Sequence, residues 1–378
     1  MNSIKFLFFC SSLLLVGCQN RPLSTDPLAP KPESTSKEIL VSNLMDLAKK
    51  GYMIGHQDAL AYGVSWRYQE GRSDIQDVAG DYPALYGWDI GGIEHGKKNN
   101  IDGVPFSKMI QWIKEIHQRK GLSTISWHMD NPLSGGNSWD VTAGTVESML
   151  PGGSKNTLYN QWLDRAADFL NALEDTQGNK IPVLFRPYHE LTGTWFWWCQ
   201  NNTSSDNYKA LWRYTFDYLT KNHQIKHLVW VYNTADYATK QEFLEYYPSD
   251  ALVDMLSFDK YQYGAPDQGQ SFKTTLRNQL QILTEIGKEK NKPIAFAETG
   301  YETIPDPQWW TGTLHQILKD FPVSHVLLWR NHGWQETEQK MHYYAPYEGH
   351  PSAKDFQTFH ALDATLFQSD LSRINIYQ

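Results

Sequence analysis

The stretch Val183 to Trp198, VLFRPYHELTGTWFWW, sets an arginine, a histidine and a glutamate directly after a short apolar run. Arg186, His189 and Glu190 fall within five positions, and Trp195, Trp197 and Trp198 follow at once. A strand that only fills a core has no use for three such groups at its end, whereas barrel enzymes place their catalytic side chains there. A carboxyl beside flat aromatic rings suits a site that holds a sugar ring and protonates its glycosidic oxygen. On the plainer reading Arg186 and Glu190 are an ion pair and the tryptophans are core. A second carboxylate, Glu298, closes another apolar run, PIAFAETG, more than a hundred positions later. Only the fold can bring the two together. Cleavage of a glycoside needs such a pair: one carboxyl protonates the leaving oxygen while the other attacks the sugar or activates water. A separation of about 5–5.5 Å would mean retention through a covalent intermediate.

The elements that must position these groups alternate along the chain. Thr35 and Glu38 have capping-box spacing ahead of a helical stripe, Ile39, Leu40, Leu44, Leu47 and Ala48, which Gly51 ends. Strands are expected at Tyr52 to Gly55, ending at His56, at Pro83 to Trp88, ending at Asp89, and at Leu122 to Trp127, ending at His128. The Val183 run is fourth and Leu228 to Tyr232 fifth. Val253 to Phe258 ends at Asp259 and Tyr261, Pro293 to Ala297 at Glu298, and Val326 to Trp329 at Arg330 and Asn331. Helical stripes separate them, among them Phe106, Met109, Ile110, Ile113 and Ile116 after Pro105, and a long one from Phe272 to Glu289. This pattern predicts an α/β chain folded as a single (β/α)8 TIM barrel over residues 35–378. Polar residues at most strand ends favour the barrel over a doubly wound sheet. Two polar, Gly-rich stretches, Gly91 to Gly103 and Asn131 to Gly153, follow strand ends and should wall the active face.

Composition narrows the function classes. The 378 residues carry a formal net charge of −8 with no basic block, which argues against nucleic acid as a partner. The 15 Trp and 21 Tyr suit carbohydrate, since their rings pack on sugar C–H groups and their N–H and O–H groups bond hydroxyls. Of three cysteines two lie near the start, so Cys199 has no partner for a disulfide or a thiolate metal site. There is no HExxH or comparable close pair among the 13 histidines, and neither a metal nor another cofactor is expected. Residues 1–17 read as an export signal, and Leu15-Val16-Gly17-Cys18 as a lipobox with Cys18 lipidated. Residues 18–34, rich in proline, read as a disordered tether. The protein is thus expected at the cell envelope, as an outer-membrane lipoprotein facing the periplasm, anchored to the membrane by its lipid and acting as a monomer.

Three segments together, VLFRPYHELTGTWFWW, SWHMDNP at Ser126 to Pro132 and IAFAETG at Ile294 to Gly300, resemble glycoside hydrolase family 26. The resemblance covers about residues 36–365, and His189 before the acid, where most of the clan has Asn, matches that family. Members are mostly β-1,4-mannanases within the retaining barrel glycosidases. The resemblance implies Glu190 as acid/base and Glu298 as nucleophile. It implies that His189 contacts the sugar at the cleavage point or orients Glu298, and that Trp195 forms a platform there or on the leaving-group side. His128 would bond the cleaved sugar with Trp127 beside it, and Tyr261 would bond or orient Glu298 with support from Asp259. Trp329 would stack under the cleaved sugar and Arg330 would bond further out on the glycone side. His56 and Asp89 match less clearly, as supports or sugar contacts, and Arg186 reads as a structural partner that aligns carboxylates. The implied activity is hydrolysis of β-mannan, galactomannan or manno-oligosaccharides. β-1,3-Xylan or mixed-linkage glucan cleavage, or glycan binding without catalysis, are the alternatives.

Overall fold

The computed structural model describes residues 35–378, and the expected signal, Cys18 and tether lie outside them. Eight parallel strands form the centre: β1 (Tyr52–Gln57), β2 (Leu85–Asp89), β3 (Leu122–Ser126), β4 (Val183–Arg186), β5 (Leu228–Thr234), β6 (Met255–Gln262), β7 (Ile294–Tyr301) and β8 (Val323–Leu328). Each pairs with the next in chain order, and β8 pairs with β1, so the sheet closes into the expected barrel.

The period of two along a strand sorts side chains between an inner and an outer layer. Met53, Leu85, Leu184, Val229, Val231, Met255, Ala295 and Leu327 fill the interior, joined by Leu40, Leu44 and Leu47 of the first helix, Ser36–Leu47, which closes the floor. That helix begins at the foreseen Thr35–Glu38 capping box. Ile54, Tyr86, Trp88, Ile125, Phe185, Trp230 and Phe296 face outward into the layer beneath the helices. The helix Phe106–Gln118 shows how that layer is covered: Phe106, Met109, Ile113 and Ile116, spaced by three and four, are its buried residues. Space inside the barrel is tight near the mouth. A Cβ on Gly87 would run into Gln57 Oε1, so a larger residue there would displace that buried side chain.

Most strand boundaries differ from expectation by a few residues, and two of these differences bear on the carboxylates. β4 stops at Arg186, because Pro187 has no N–H to continue the ladder, so Glu190 lies beyond the strand rather than closing it. β7 does not stop at Glu298 but runs through it to Tyr301. A short antiparallel hairpin, Gly333–Gln335 with Lys340–His342, and a last helix, Gln368–Ile374, were not foreseen.

Candidate active site

Arg186 is the inward-facing residue at the end of β4, on the same face as Leu184. Its side chain is 2% exposed and donates through one terminal nitrogen to Asp259 Oδ2 at 2.8 Å and through the other to Glu298 Oε1. Removing one partner from a buried ion pair costs about 3–5 kcal/mol, so the three groups are held as a unit. The aligning role expected of Arg186 is what its contacts provide.

Glu298 reaches this position through a β-bulge. In a regular ladder it would share the outward face of Phe296, which stacks on Phe258 at 4.9 Å. The β6–β7 register shifts by one residue between Phe258↔Phe296 and Asp259↔Glu298. The extra residue turns Glu298 inward, opposite Asp259 and onto Arg186; bulges commonly re-aim a side chain next to an active site. Tyr261, two residues past Asp259 on the same face, donates its hydroxyl to Glu298 Oε2 at 2.8 Å. Each Glu298 oxygen therefore has one fixed donor.

Glu190 is positioned by a turn. Tyr188 and Glu190 both have φ of +55°, the left-handed region, at a cost on the order of 1–3 kcal/mol each. Three bonds hold this backbone: Glu190 N–H to Asn233 Oδ1 at 2.7 Å, Trp198 Nε1–H to the His189 carbonyl at 2.7 Å, and the Tyr188 hydroxyl with Thr215 at 2.8 Å. Trp195 folds back so that its indole N–H donates to Glu190 Oε2 at 2.6 Å. A side chain at Gly193 would meet that indole at 2.6 Å and push it away from its place on Glu190. Burial raises the Glu190 carboxyl well above the usual carboxylate range, and the Asp259 and Glu298 carboxylates add to the rise; Trp195 and Arg186 offset it only in part. One oxygen each of Glu190, Asp259 and Glu298 lie within 4.8 Å of one another. Such a cluster could hold a cation, but the Arg186 guanidinium already takes that place between Asp259 and Glu298. A second cluster, Glu94, His95 and Asp130, lies outside the mouth, with the Glu94 oxygens taken up by the N–H groups of Gly92, Asp130 and Trp127.

On the other side of the mouth runs a chain of three groups. Asp89 accepts from His128 Nδ1 at 2.8 Å and from Ser126 at 2.7 Å, and His128 Nε2 lies 3.3 Å from His189 Nε2. Burial works against the Asp89 charge, yet His128 and the surrounding donors hold its carboxyl below the usual range. Burial, then His128 and Arg186, push the His189 pKa well down, so that ring is neutral. Trp329, half-buried, follows β8, with the Arg330 guanidinium 5.9 Å from its ring. Arg330 pairs with Asp102 of the Gly91–Gly103 loop.

Strand alternation removes two expected residues from the mouth. Trp127 shares the outward face of Ile125, is 1% exposed and bonds Glu94 at 3.1 Å, so it supports a loop rather than flanking a sugar. His56 shares the face of Ile54 and is buried with both ring nitrogens unpartnered; burial brings it down to about 4, so it is neutral behind the wall. Trp197 and Trp198 are wholly buried, and of that group only Trp195, 41% exposed, presents a ring to solvent.

Two contributors were missed. Asn233, inward on β5, bonds Asp259 and Ser257 at 2.8 Å each as well as the Glu190 backbone, and its signal was a lone amide ending the run LVWVYN. Trp139, from the long loop after β3, stacks on His128 at 5.3 Å and is 51% exposed. More broadly, the exposed large apolar residues Ile101, Trp139, Val141, Trp195, Tyr263 and Trp334 all stand on segments that leave the C-terminal ends of barrel strands. A rim of exposed rings around buried carboxyl groups is what a polymer of apolar-faced, hydroxylated units would meet.

Comparison with known proteins follows this geometry. The profile of glycosyl hydrolase family 26 matches residues 28–300, ending just past Glu298. A solved β-mannanase from Bacteroides ovatus is 41% identical, with a TM-score of 0.86 over 92% of this chain and 98% of that one. The mannan endo-1,4-beta-mannosidase of Bacillus subtilis strain 168 is 26% identical over 89% of this chain and 90% of its own length. That of Bifidobacterium adolescentis is 26% identical over 85% of this chain, which spans 33% of that longer protein.

Proposed function

The chain belongs to glycosyl hydrolase family 26, and on that premise we propose that it hydrolyses β-1,4-mannosidic bonds in mannan, galactomannan or manno-oligosaccharides with retention of configuration. The observation that carries the mechanism is the close approach of Glu190 and Glu298, whose nearest oxygens are within 4.8 Å. An inverting pair needs about 6.5–9.5 Å to admit water between carboxyl and sugar, while about 5–5.5 Å suits direct attack. A carboxylate oxygen of Glu298 attacks C1 of the sugar as the bond from C1 to the leaving oxygen breaks, and Glu190 gives its proton to that oxygen. Water then gives a proton to Glu190, its oxygen attacks C1, and the bond to Glu298 breaks. The charge on Glu298 helps keep Glu190 protonated before the first step; the glycosyl ester removes that charge, so Glu190 can act as base in the second. Arg186 and Tyr261 each hold one oxygen of the nucleophile and keep it aimed.

The substrate reading draws on the relatives named above and on the exposed rings around the mouth. Mannan, β-1,3-xylan and lichenan assayed side by side test it. Reducing sugar should come from mannan; preference for xylan or glucan would move the specificity, and no release from any would favour a binding protein.

The pH profile offers a separate test. The Trp195 N–H bonds the ionised form of Glu190 and so lowers its pKa. Trp195→Phe keeps a ring but removes that donor, so Glu190 should hold its proton to higher pH. The alkaline limb of kcat/KM on mannotetraose, whose leaving sugar needs that proton, should therefore move up; an unmoved limb would mean that another group sets it.

The Arg330–Asp102 pair bears on mode of action. It ties the loop after β2 to the end of β8, and Asn100 anchors the same loop to the Asp89 carbonyl at 2.9 Å. This supports a cleft closed at its glycone end that releases mainly mannobiose from chain ends, in keeping with a periplasmic role on imported oligosaccharides. Asp102→Ala should shift early products from mannobiose to mixed longer oligosaccharides. A rapid fall in viscosity of mannan with the unaltered enzyme, and little mannobiose, would reject the closed cleft.

For location, the Leu15–Cys18 motif supports an envelope lipoprotein anchored through Cys18. Cys18→Ala should move the protein from the membrane to the soluble fraction. A mature N-terminus at another residue would rule the anchor out.

A further inference from the structure

A cavity of about 270 Å³ opens on the outer wall of the barrel, between residues 68–71 and the helix Phe106–Gln118, and none of its lining residues belongs to the carboxylate site. Leu60 contributes to its lining, and two of its walls are aromatic. Trp112 lies parallel to the buried Trp88 at 5.7 Å and 8°, and Tyr68 is offset from Trp112 at 6.4 Å and 19°. Three near-parallel rings thus step from the barrel wall to the surface. The helix buries Phe106, Met109, Ile113 and Ile116, and Trp112 stands beside that row: it packs on the core through Trp88 and borders the cavity among Lys108, Gln111, Glu115 and Arg119. Tyr68 takes up its place with φ of +54°, a left-handed conformation uncommon for a residue with a side chain. Its hydroxyl donates to the Gly103 carbonyl at 2.6 Å.

Around the rings stand two carboxylates, Glu70 and Glu115, two cations, Lys108 and Arg119, and the Gln111 amide. The lining as a whole is neutral, with Lys108 Nζ over the Tyr68 ring at 5.4 Å and over the Trp112 ring at 5.6 Å. Donors and acceptors interleaved beside aromatic faces match neighbouring hydroxyls on a ring whose C–H face is apolar. The volume sits just below the range of ordinary small-molecule sites, about 300–1,000 Å³, which suits one ring rather than a chain segment.

We propose that this cavity is a second carbohydrate site, which takes one hexopyranosyl unit of the neutral polysaccharide that the cleft cleaves. The identity of that polysaccharide as mannan rests on the reading above. Tyr68 connects the two sites: the carbonyl it holds ends the loop whose Asp102 pairs with Arg330 at the mouth. A bound unit would keep polymer on the enzyme between cleavage events and brace that loop.

The test uses the full chain with Glu298→Ala, which cannot consume its ligand, titrated calorimetrically with mannotriose. Two classes of site are expected, and the weaker should vanish when Glu70→Ala and Gln111→Ala are added at these exposed positions. In the otherwise unaltered enzyme the same two substitutions should leave kcat/KM on an aryl mannobioside unchanged and raise the half-saturating concentration of polymeric mannan several-fold. A single class of site, or two that survive both substitutions, would overturn the proposal. Failure of the mannan reading shows separately, as unaltered enzyme that leaves mannotriose and mannan intact. The trisaccharide of whichever polysaccharide is cleaved then serves in the same titration, with the same outcomes deciding.

Discussion

Glu298→Ala should abolish turnover of polymeric mannan, oligosaccharides and activated aryl mannobiosides together. Loss of the nucleophile in a covalent catalyst lowers kcat on the order of 10⁶-fold, and a better leaving group cannot restore a bond that no longer forms. The substitution leaves Arg186 paired with Asp259 at 2.8 Å, so the fold should survive; unchanged circular dichroism and a cooperative melt would verify that. Azide can enter the space vacated by the carboxylate and attack an aryl mannobioside directly, giving the inverted, α-configured mannobiosyl azide. Unaided turnover of the aryl substrate at the unaltered rate would remove Glu298 from the nucleophile's role.

Glu190→Ala should separate its substrates instead. A proton donor is worth on the order of 10²–10⁴-fold where it is needed. Mannan, whose leaving sugar is poor, should fall by that factor or more. An aryl mannobioside with an acidic phenol leaves unaided, so its first step should persist while the second, which needs Glu190 as base, slows. The expected trace is a burst of phenol followed by slow turnover. Azide needs no base, so it should speed the slow phase and yield the retained, β-configured azide. The opposite pair of products, retained from Glu298→Ala and inverted from Glu190→Ala, would exchange the two roles.

Much of this site was legible because charge follows apolar runs at the strand ends. Arg186, Asp259, Tyr261 and Glu298 meet in one hydrogen-bonded unit, and Asp89, His128 and His189 in a second, with Glu190 between them. What stayed hidden is which face each residue takes. Period two says that Trp127 and His128 point opposite ways, but not which points in. A single inserted residue, as in β7, reverses the answer for Glu298 without any mark in composition. Pro187 was a visible stop, yet the left-handed turn at Tyr188 and Glu190 depends on Asn233, contributed by another strand. Trp139 sits in a long loop with no periodicity to read, and only tertiary packing lays it on His128. Its loop and the one carrying Asp102 were foreseen as walls of the active face, though the Asp102–Arg330 tie was not.

Covalent catalysis through Glu298 is tested most directly by trapping the intermediate. Glu190→Ala enzyme, mixed with a dinitrophenyl β-mannobioside and quenched in acid during the burst, is digested and its peptides are weighed by mass spectrometry. Expected is a mannobiosyl adduct on the peptide that contains Glu298, formed with the burst and lost when azide is added before quenching. An adduct on another side chain, or none together with α-configured mannobiose as the first product, would contradict it.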